Sequence, residues 1–288
     1  MDFFATAVIQ GLGFSALALG IFISLKIFNI PDITTDGSYT LGGAVTAVML
    51  VSGYSPMTTL PVALLAGMAA GIATGMIHTT LKVHPLLSGI LVMTALYSVN
   101  LGIMGRSNLP LINTDNLFTS LELASNPFTN QLLIMTVVIL IVALFLGWLL
   151  HTDFGIAMRA TGNSEQMVRA AGMNTQAMKI AGLAMSNALT ALSGFLLVQS
   201  QGFADINMGI GIVISGLAAV MIGDAFLKFS RGNSILIQVF FVVGGSLLFR
   251  IVLAFSLSLG LNPNYLKLVT ALIVLAVVGI PVIKRSRP

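Results

Sequence analysis

The sequence predicts an all-α protein, a polytopic transmembrane helical bundle of about nine spans with a discontinuous helix near residues 29–43. Three observations lead there. Apolar residues make up 57% of the 288 positions and charged ones 8%, with a mean hydropathy of +1.01, far from globular usage. The apolar residues fall in long runs rather than in short alternating segments, which argues for helices over a barrel, since hydrocarbon about 30 Å thick needs roughly 20 residues per helix. Between the first two runs stands IFNIPDITTDGSYTLGGA, Ile27 to Ala44, which carries Pro31, Asp32, Asp36 and Gly37 where apolar chain would otherwise continue.

In order, the runs place spans at 4–25, 38–52, 60–80, 85–104, 131–150, 178–199, 209–226, 234–256 and 266–283. The first has no Lys or Arg before Lys26 and no small-residue cleavage site, so it reads as a span and not as a signal peptide. With nine spans and a cytoplasmic C-terminus, Lys26, Lys82, Arg159, Arg169, Lys179, Lys228, Arg231, Lys284, Arg285 and Arg287 lie inside, and Arg106, Arg250 and Lys267 outside. That asymmetry follows the positive-inside rule and sets the N-terminus outside.

The same scatter of cations between spans argues against nucleic acid as the partner of the +4 net charge. No cysteine is present, which excludes a disulfide framework and thiolate metal sites. His78 and His84 are six apart and share no helix face as metal ligands would, so no metal or other cofactor is expected. No period of 20–50 residues recurs, so residues 1–288 read as a single transmembrane domain. Gly67, Gly71 and Gly75 form GxxxGxxxG, a bare helix face suited to packing, and Gly209, Gly211, Gly216 and Gly223 are read in the same way.

Two connections are long. The one from Gly105 to Asn130 reads either as an external cap or as a passive link. The other, about 152–177, is a cytoplasmic loop rich in small residues and cations, with Arg159, Gly162, Arg169, Ala171 and Gly172 among them. From Asn163 as N-cap, with Gln166 at the box position, Ser164 to Ala171 form about two helical turns before Gly172 stops them. Met167, Val168 and Ala171 then share an apolar strip that calls for a protein partner.

The segment FGIAMRATGNSEQMVRAAGMNTQAMKIAGLAMSNALTALSGFLLVQSQGFADINMGIGIVISGLAAVMIG resembles the ABC-importer permeases of the branched-chain amino acid and ribose type. NIPDITTDGSYTLGGA and LLFRIVLAFSLSLGLNPNYLKLVTALIVL are similar to the first and last motifs of the subgroup associated with amino-acid-like, including aromatic amino acid, binding proteins. The resemblance implies a permease subunit in the cell membrane, surrounded by lipid and working with an ATP-binding-cassette ATPase and an extracytoplasmic solute-binding protein. It implies two permease copies, as a homodimer, and a coupling helix within Ala160–Asn174 that sits in a groove of the ATPase. A small organic solute, an amino acid before a sugar, is the expected cargo. The chain holds no GxxxxGK[ST], so it is not expected to be an enzyme, and ATP hydrolysis falls to the separate subunit. The rival from another class is a secondary transporter or channel.

The polar stretch has two readings. As a solvated cytoplasmic turn, it ends in Asp36 capping the second span. As an interruption inside the bundle, where broken helix is tolerated only against protein or a water-filled cavity, it borders a translocation path. On the second reading Asp32, Asp36, Gly37 and Ser38 are pathway residues, with free N–H groups of a half-helix ready for a substrate carboxylate. Asp32 is then a counter-ion for an ammonium or for Arg250. Arg250, about sixteen residues into its run, either snorkels outward or meets a substrate carboxylate or an aspartate. Asn187 hydrogen-bonds across helices or to substrate.

Overall fold

In the computed structural model, which describes residues 2–227, 234–260, 262 and 265–285, all nine apolar runs are helical over most of their length. The chain runs α1 (Asp2–Ile21), a π-helical turn (Phe22–Ile27), α2 (Thr34–Val51), α3 (Pro56–Thr80), α4 (Pro85–Met104), β1 (Asn108–Pro110) and α5 (Leu117–Ser120). It continues through α6 (Pro127–His151), α7 (Asp153–Asn163), α8 (Glu165–Ala170), α9 (Thr175–Gln201), β2 (Phe203–Asp205), α10 (Ile212–Leu227), α11 (Ile235–Ser258) and α12 (Leu266–Arg285). Pro56, Pro85 and Pro127 open α3, α4 and α6, where a missing N–H costs nothing. Left-handed Gly105 and Gly202 close α4 and α9.

Among the described residues six helices are long and apolar enough to cross a membrane: Phe4–Ile27, Pro56–Thr80, Pro85–Met104, Pro127–His151, Thr175–Gln201 and Ile235–Ser258. The expected nine full spans are therefore not confirmed. The 16 residues of α10 reach only about 24 Å at 1.5 Å per residue, and α2 opens on polar residues, Thr34 to Ser38.

The core lies where two spans are buried along most of their length. In their most apolar stretches 83% of residues are buried in the span Phe4–Ile27 and 78% in α9, against 28–33% in α3, α4, α6 and α11, whose outer faces carry residues such as Leu65, Phe145 and Trp148. Lipid is as apolar as these side chains, so close backbone approach and hydroxyl bonds must hold the central helices together. Ser186 and Ser193 of α9 donate to the carbonyls of Gly20 and Gly13 in α1 at 2.7 and 2.8 Å, and Ser246 of α11 donates to Gly11 at 2.9 Å. The Gly67/Gly71/Gly75 face packs on α9 as expected. A Cβ at Gly71 would stand 2.2 Å from the Leu183 carbonyl oxygen, and one at Gly67 2.5 Å from that of Asn187.

Two ends are distinct. At one, β1 and β2 pair antiparallel, so the connection after Gly105 is tied to the connection after α9 rather than left loose. At the other, α7 and α8 lie beside the π-turn and the start of α9, with Lys26, Arg159, Arg169 and Lys179 near them. Lys228, Arg231 and Arg287 fall outside the described residues.

Candidate functional site

Helix α1 loosens before it stops. Its last turn widens to π geometry, with Phe28 N–H donating to Ile23 at 3.1 Å and Ile30 N–H to Ser24 at 2.8 Å. Asn29 then takes φ +55°, a left-handed conformation that Asn tolerates, and Pro31 cannot donate. The unwound stretch is therefore Phe28–Ile33. Helix resumes at Thr34, four residues before the span expected from 38, so Asp36, Gly37 and Ser38 are helical. Thr34 is the first residue because Asp32, two positions earlier, accepts its N–H through Oδ1 at 2.9 Å, replacing the Asp36 cap of the solvated-turn reading.

Depth follows from α9. Asn187 lies 12 residues from Thr175 and 14 from Gln201, about 18 and 21 Å from the two ends at 1.5 Å per residue. Its Nδ2 donates to Asp32 Oδ2 at 2.7 Å and its Oδ1 accepts from Ser38 Oγ at 2.6 Å. Asp32, Ser38 and Asn187 thus form one buried network near mid-bundle. Thr34 Oγ1 lies 2.7 Å from Thr74 Oγ1, which ties the break to α3 as well.

Asp36 does something the sequence did not suggest. Its Oδ2 accepts from Gly211 N–H at 2.8 Å and its Oδ1 from Val213 N–H at 2.9 Å, so it caps α10 from another helix. The chain from Ile206 to Gly211, expected to be helical from Gly209, is a second non-helical segment; it leads from β2 to the start of α10 at Ile212. Gly209 packs against the Asp36 carbonyl, where a Cβ would stand 2.0 Å from the oxygen. The first turn of α2 and the first turn of α10, each preceded by non-helical chain, therefore meet at Asp36. The signal was present in DINMGIGI, whose mix of glycines and polar residues resembles that of the stretch from Asp32 to Gly43, but its apolar residues merged with the following run.

A small cavity borders this meeting point, lined by Asp36, Gly37, Thr40, Met93, Tyr97, Asn100, Ile206, Gly209 and Ile210. A cleft of about 170 Å³ lies next to α10's first turn, lined by Met208, Gly211, Ser215, Lys267 and Thr270 among others. Sequence reasoning missed Asn100, an isolated amide in an apolar run; it donates to the Gly37 carbonyl at 3.2 Å. Arg250 joins neither aspartate. Its guanidinium lies 3.4 Å from the centroid of Phe14, which stacks on Tyr39 at 5.8 Å, and the cation rests on an aromatic face instead of in an ion pair.

The segment 152–177, expected to be cytoplasmic, differs from expectation in its details. Asn163 ends α7, and Ser164 is the cap of α8, accepting from Met167 N–H at 3.4 Å. Gly172 is left-handed, at φ +83°. Val168 is 4% exposed and so packs within the chain, leaving Met167, at 61%, and Ala171 on the surface. Gly162 faces inward too: a Cβ there would lie 1.7 Å from the Ile27 carbonyl oxygen, so this glycine seats α7 on the π-turn. Arg159 is part-buried with Nε unpartnered, and Arg169 is exposed and bonded to Glu165 at 3.0 Å. Glu165 also receives Lys179 Nζ at 2.6 Å and Thr175 Oγ1 at 3.2 Å. Chiefly through the Lys179 hydrogen bond, its carboxyl titrates below the usual range.

Residues 3–278 match the family described as the branched-chain amino acid transport system permease component. The chain is 38% identical over 270 residues to the tyrosine transport system permease protein of Clostridioides difficile, covering 93% of this chain and 87% of that one. It is 28% identical over 267 residues to the galactofuranose transporter permease protein of Escherichia coli, covering 91% and 74%. An autoinducer 2 import system permease protein of Salmonella typhimurium is 28% identical over 225 residues, covering 76% and 62%. No solved structure matches.

Proposed function

The chain belongs to the branched-chain amino acid transport permease family, the membrane-spanning subunit of an ABC importer, and from that premise we propose that it carries an amino acid inward along a path bordering the junction of Asp36 with the start of α10. The observation that carries this reading is the Asp36 junction. The non-helical chain from Ile206 to Gly211, packed against Asp36 inside the bundle, is costly in hydrocarbon and is stable only against protein or water, and here space borders it. Half-helix ends at such a place are where transporters hold solute. Asp36 and Gly37 border the path, and Asp32, Ser38 and Asn187 hold the break open. Arg250 acts on the path through Phe14 and Tyr39 rather than as a direct counter-ion.

Amino acid is favoured over sugar by the 38% identity to a permease named for tyrosine transport, against 28% for one named for galactofuranose. The working unit is a homodimer of this chain with two ATPase subunits and a solute-binding protein. The ATPase groove receives α8 and the turn after it, through Met167, Arg169, Ala171 and Gly172, while Gly162 and Arg159 join that contact to the π-turn. The test is uptake into proteoliposomes holding the permease, its ATPase and its binding protein with ATP trapped on the ATPase side. Labelled tyrosine, phenylalanine and galactose are the probes. ATP-dependent accumulation of an amino acid is expected; accumulation of galactose alone would overturn the substrate class.

A further inference from the structure

Asn100 is 1% exposed and makes one hydrogen bond, from Nδ2 to the Gly37 carbonyl. A carbonyl can only accept, so the amide nitrogen must face Gly37 and the amide oxygen must point away from it. That Oδ1 has no partner. A buried acceptor left without a donor is costly, and a native bundle retains one where something else supplies the donor. Asn100 lines the cavity at the Asp36 junction.

Of the other polar side chains there, the Tyr97 phenol is both donor and acceptor, while Asp36 and Thr40 are left as acceptors. Thr40 spends its proton on the Asp36 carbonyl, at 3.2 Å. The N–H groups of Gly211 and Val213 are already bound to Asp36, whose two carboxylate oxygens each keep a lone pair free. The cavity therefore has a surplus of acceptors, one of them carrying negative charge. Its volume, about 30 Å³, fits a single water- or ammonium-sized group and not a side chain. Tyr97 lines it while remaining 47% exposed, so it is not sealed.

Resting on the reading of this junction as the transport path, we infer that the cavity receives the primary ammonium of the solute, with Asn100 Oδ1 and the Asp36 carboxylate as its acceptors. The solute's carboxylate and side chain stay outside the cavity. Selection for an amino group then occurs within the permease, in addition to any selection by the binding protein.

The test uses the nucleotide-free permease–ATPase complex in detergent and the thermal midpoint of the permease, which needs no binding protein. The probes, each at 10 mM, are tyrosine methyl ester, tyramine, 3-(4-hydroxyphenyl)propionate and galactose. The two ammonium-bearing probes are expected to raise the midpoint by about 2 °C or more, and the other two to leave it unchanged. Asn100→Leu, close in volume, should abolish the response, and Asn100→Asp, which keeps an acceptor, should retain it. No response to any probe, equal responses to tyramine and 3-(4-hydroxyphenyl)propionate, or an undiminished response in Asn100→Leu overturns the inference. Should Asn100→Leu fail to assemble, the contrast between tyramine and 3-(4-hydroxyphenyl)propionate in the unaltered protein still decides it. Absence of amino-acid uptake with the ammonium response intact would instead overturn the amino-acid reading and leave the ammonium site standing.

Discussion

At the scale of single residues, two aspartates four positions apart in one polar stretch do different work. Asp32 starts its own helix, while Asp36 holds the start of a helix 175 residues away. Removing the Asp36 carboxylate leaves the Gly211 and Val213 N–H groups without their acceptor. Asp36→Ala should therefore lower the stability of the folded permease by about 1–3 kcal/mol, read as a lower thermal midpoint in detergent. Asp36→Asn, which can satisfy one N–H but carries a donor where the second was accepted, should fall between. An unchanged midpoint in Asp36→Ala would mean that α10 is held by packing alone. Asn100 could not be singled out beforehand because one amide in an apolar run looks the same whether its oxygen is bonded or free.

At the scale of elements, α8 divides into a face turned to its own chain and a face turned outward. Val168→Asp should reduce folded yield, since it forces a charge into a 4%-exposed position, whereas Met167→Asp should fold normally and lose ATPase binding. Co-purification with the ATPase separates the two; a Met167→Asp variant that still binds and couples fully would remove α8 from the contact. The Glu165 clip adds a pH dependence. Its carboxyl is depressed in the folded state by Lys179, so the clip's contribution is fully present above the ordinary carboxylate range and is lost as pH falls through the lower folded value. Limited proteolysis across 153–179 should therefore be slow at pH 7 and accelerate toward pH 3, and Glu165→Gln should cleave at the faster rate already at pH 7. Packing elements are equally specific: Gly71→Leu places carbon against the Leu183 carbonyl and should lower folded yield before it alters which solute is carried.

At the scale of the whole molecule, the lack of cysteine makes accessibility a clean probe of a gated path. Single cysteines replacing Tyr97 and Ile210, both part of the cavity lining and both exposed, should change their reaction rate with a membrane-impermeant maleimide between the nucleotide-free and ATP-trapped importer. Equal rates in the two states would argue against a path at this junction. The sequence alone decided the membrane class, the helical architecture and the α3 packing face. These follow from properties each segment carries by itself: apolar length and glycine spacing. It located the first helix break because proline and two acids cannot pass unnoticed in an apolar run. Tertiary structure alone decided that the break ends at Thr34, that the non-helical chain before α10 packs on α2, that Asp36 caps α10, that Gly162 is turned inward and that Arg250 rests on Phe14. Each of these depends on which distant segment supplies the missing donor, acceptor or space, and such pairing arises only when helices far apart in sequence pack at the same depth.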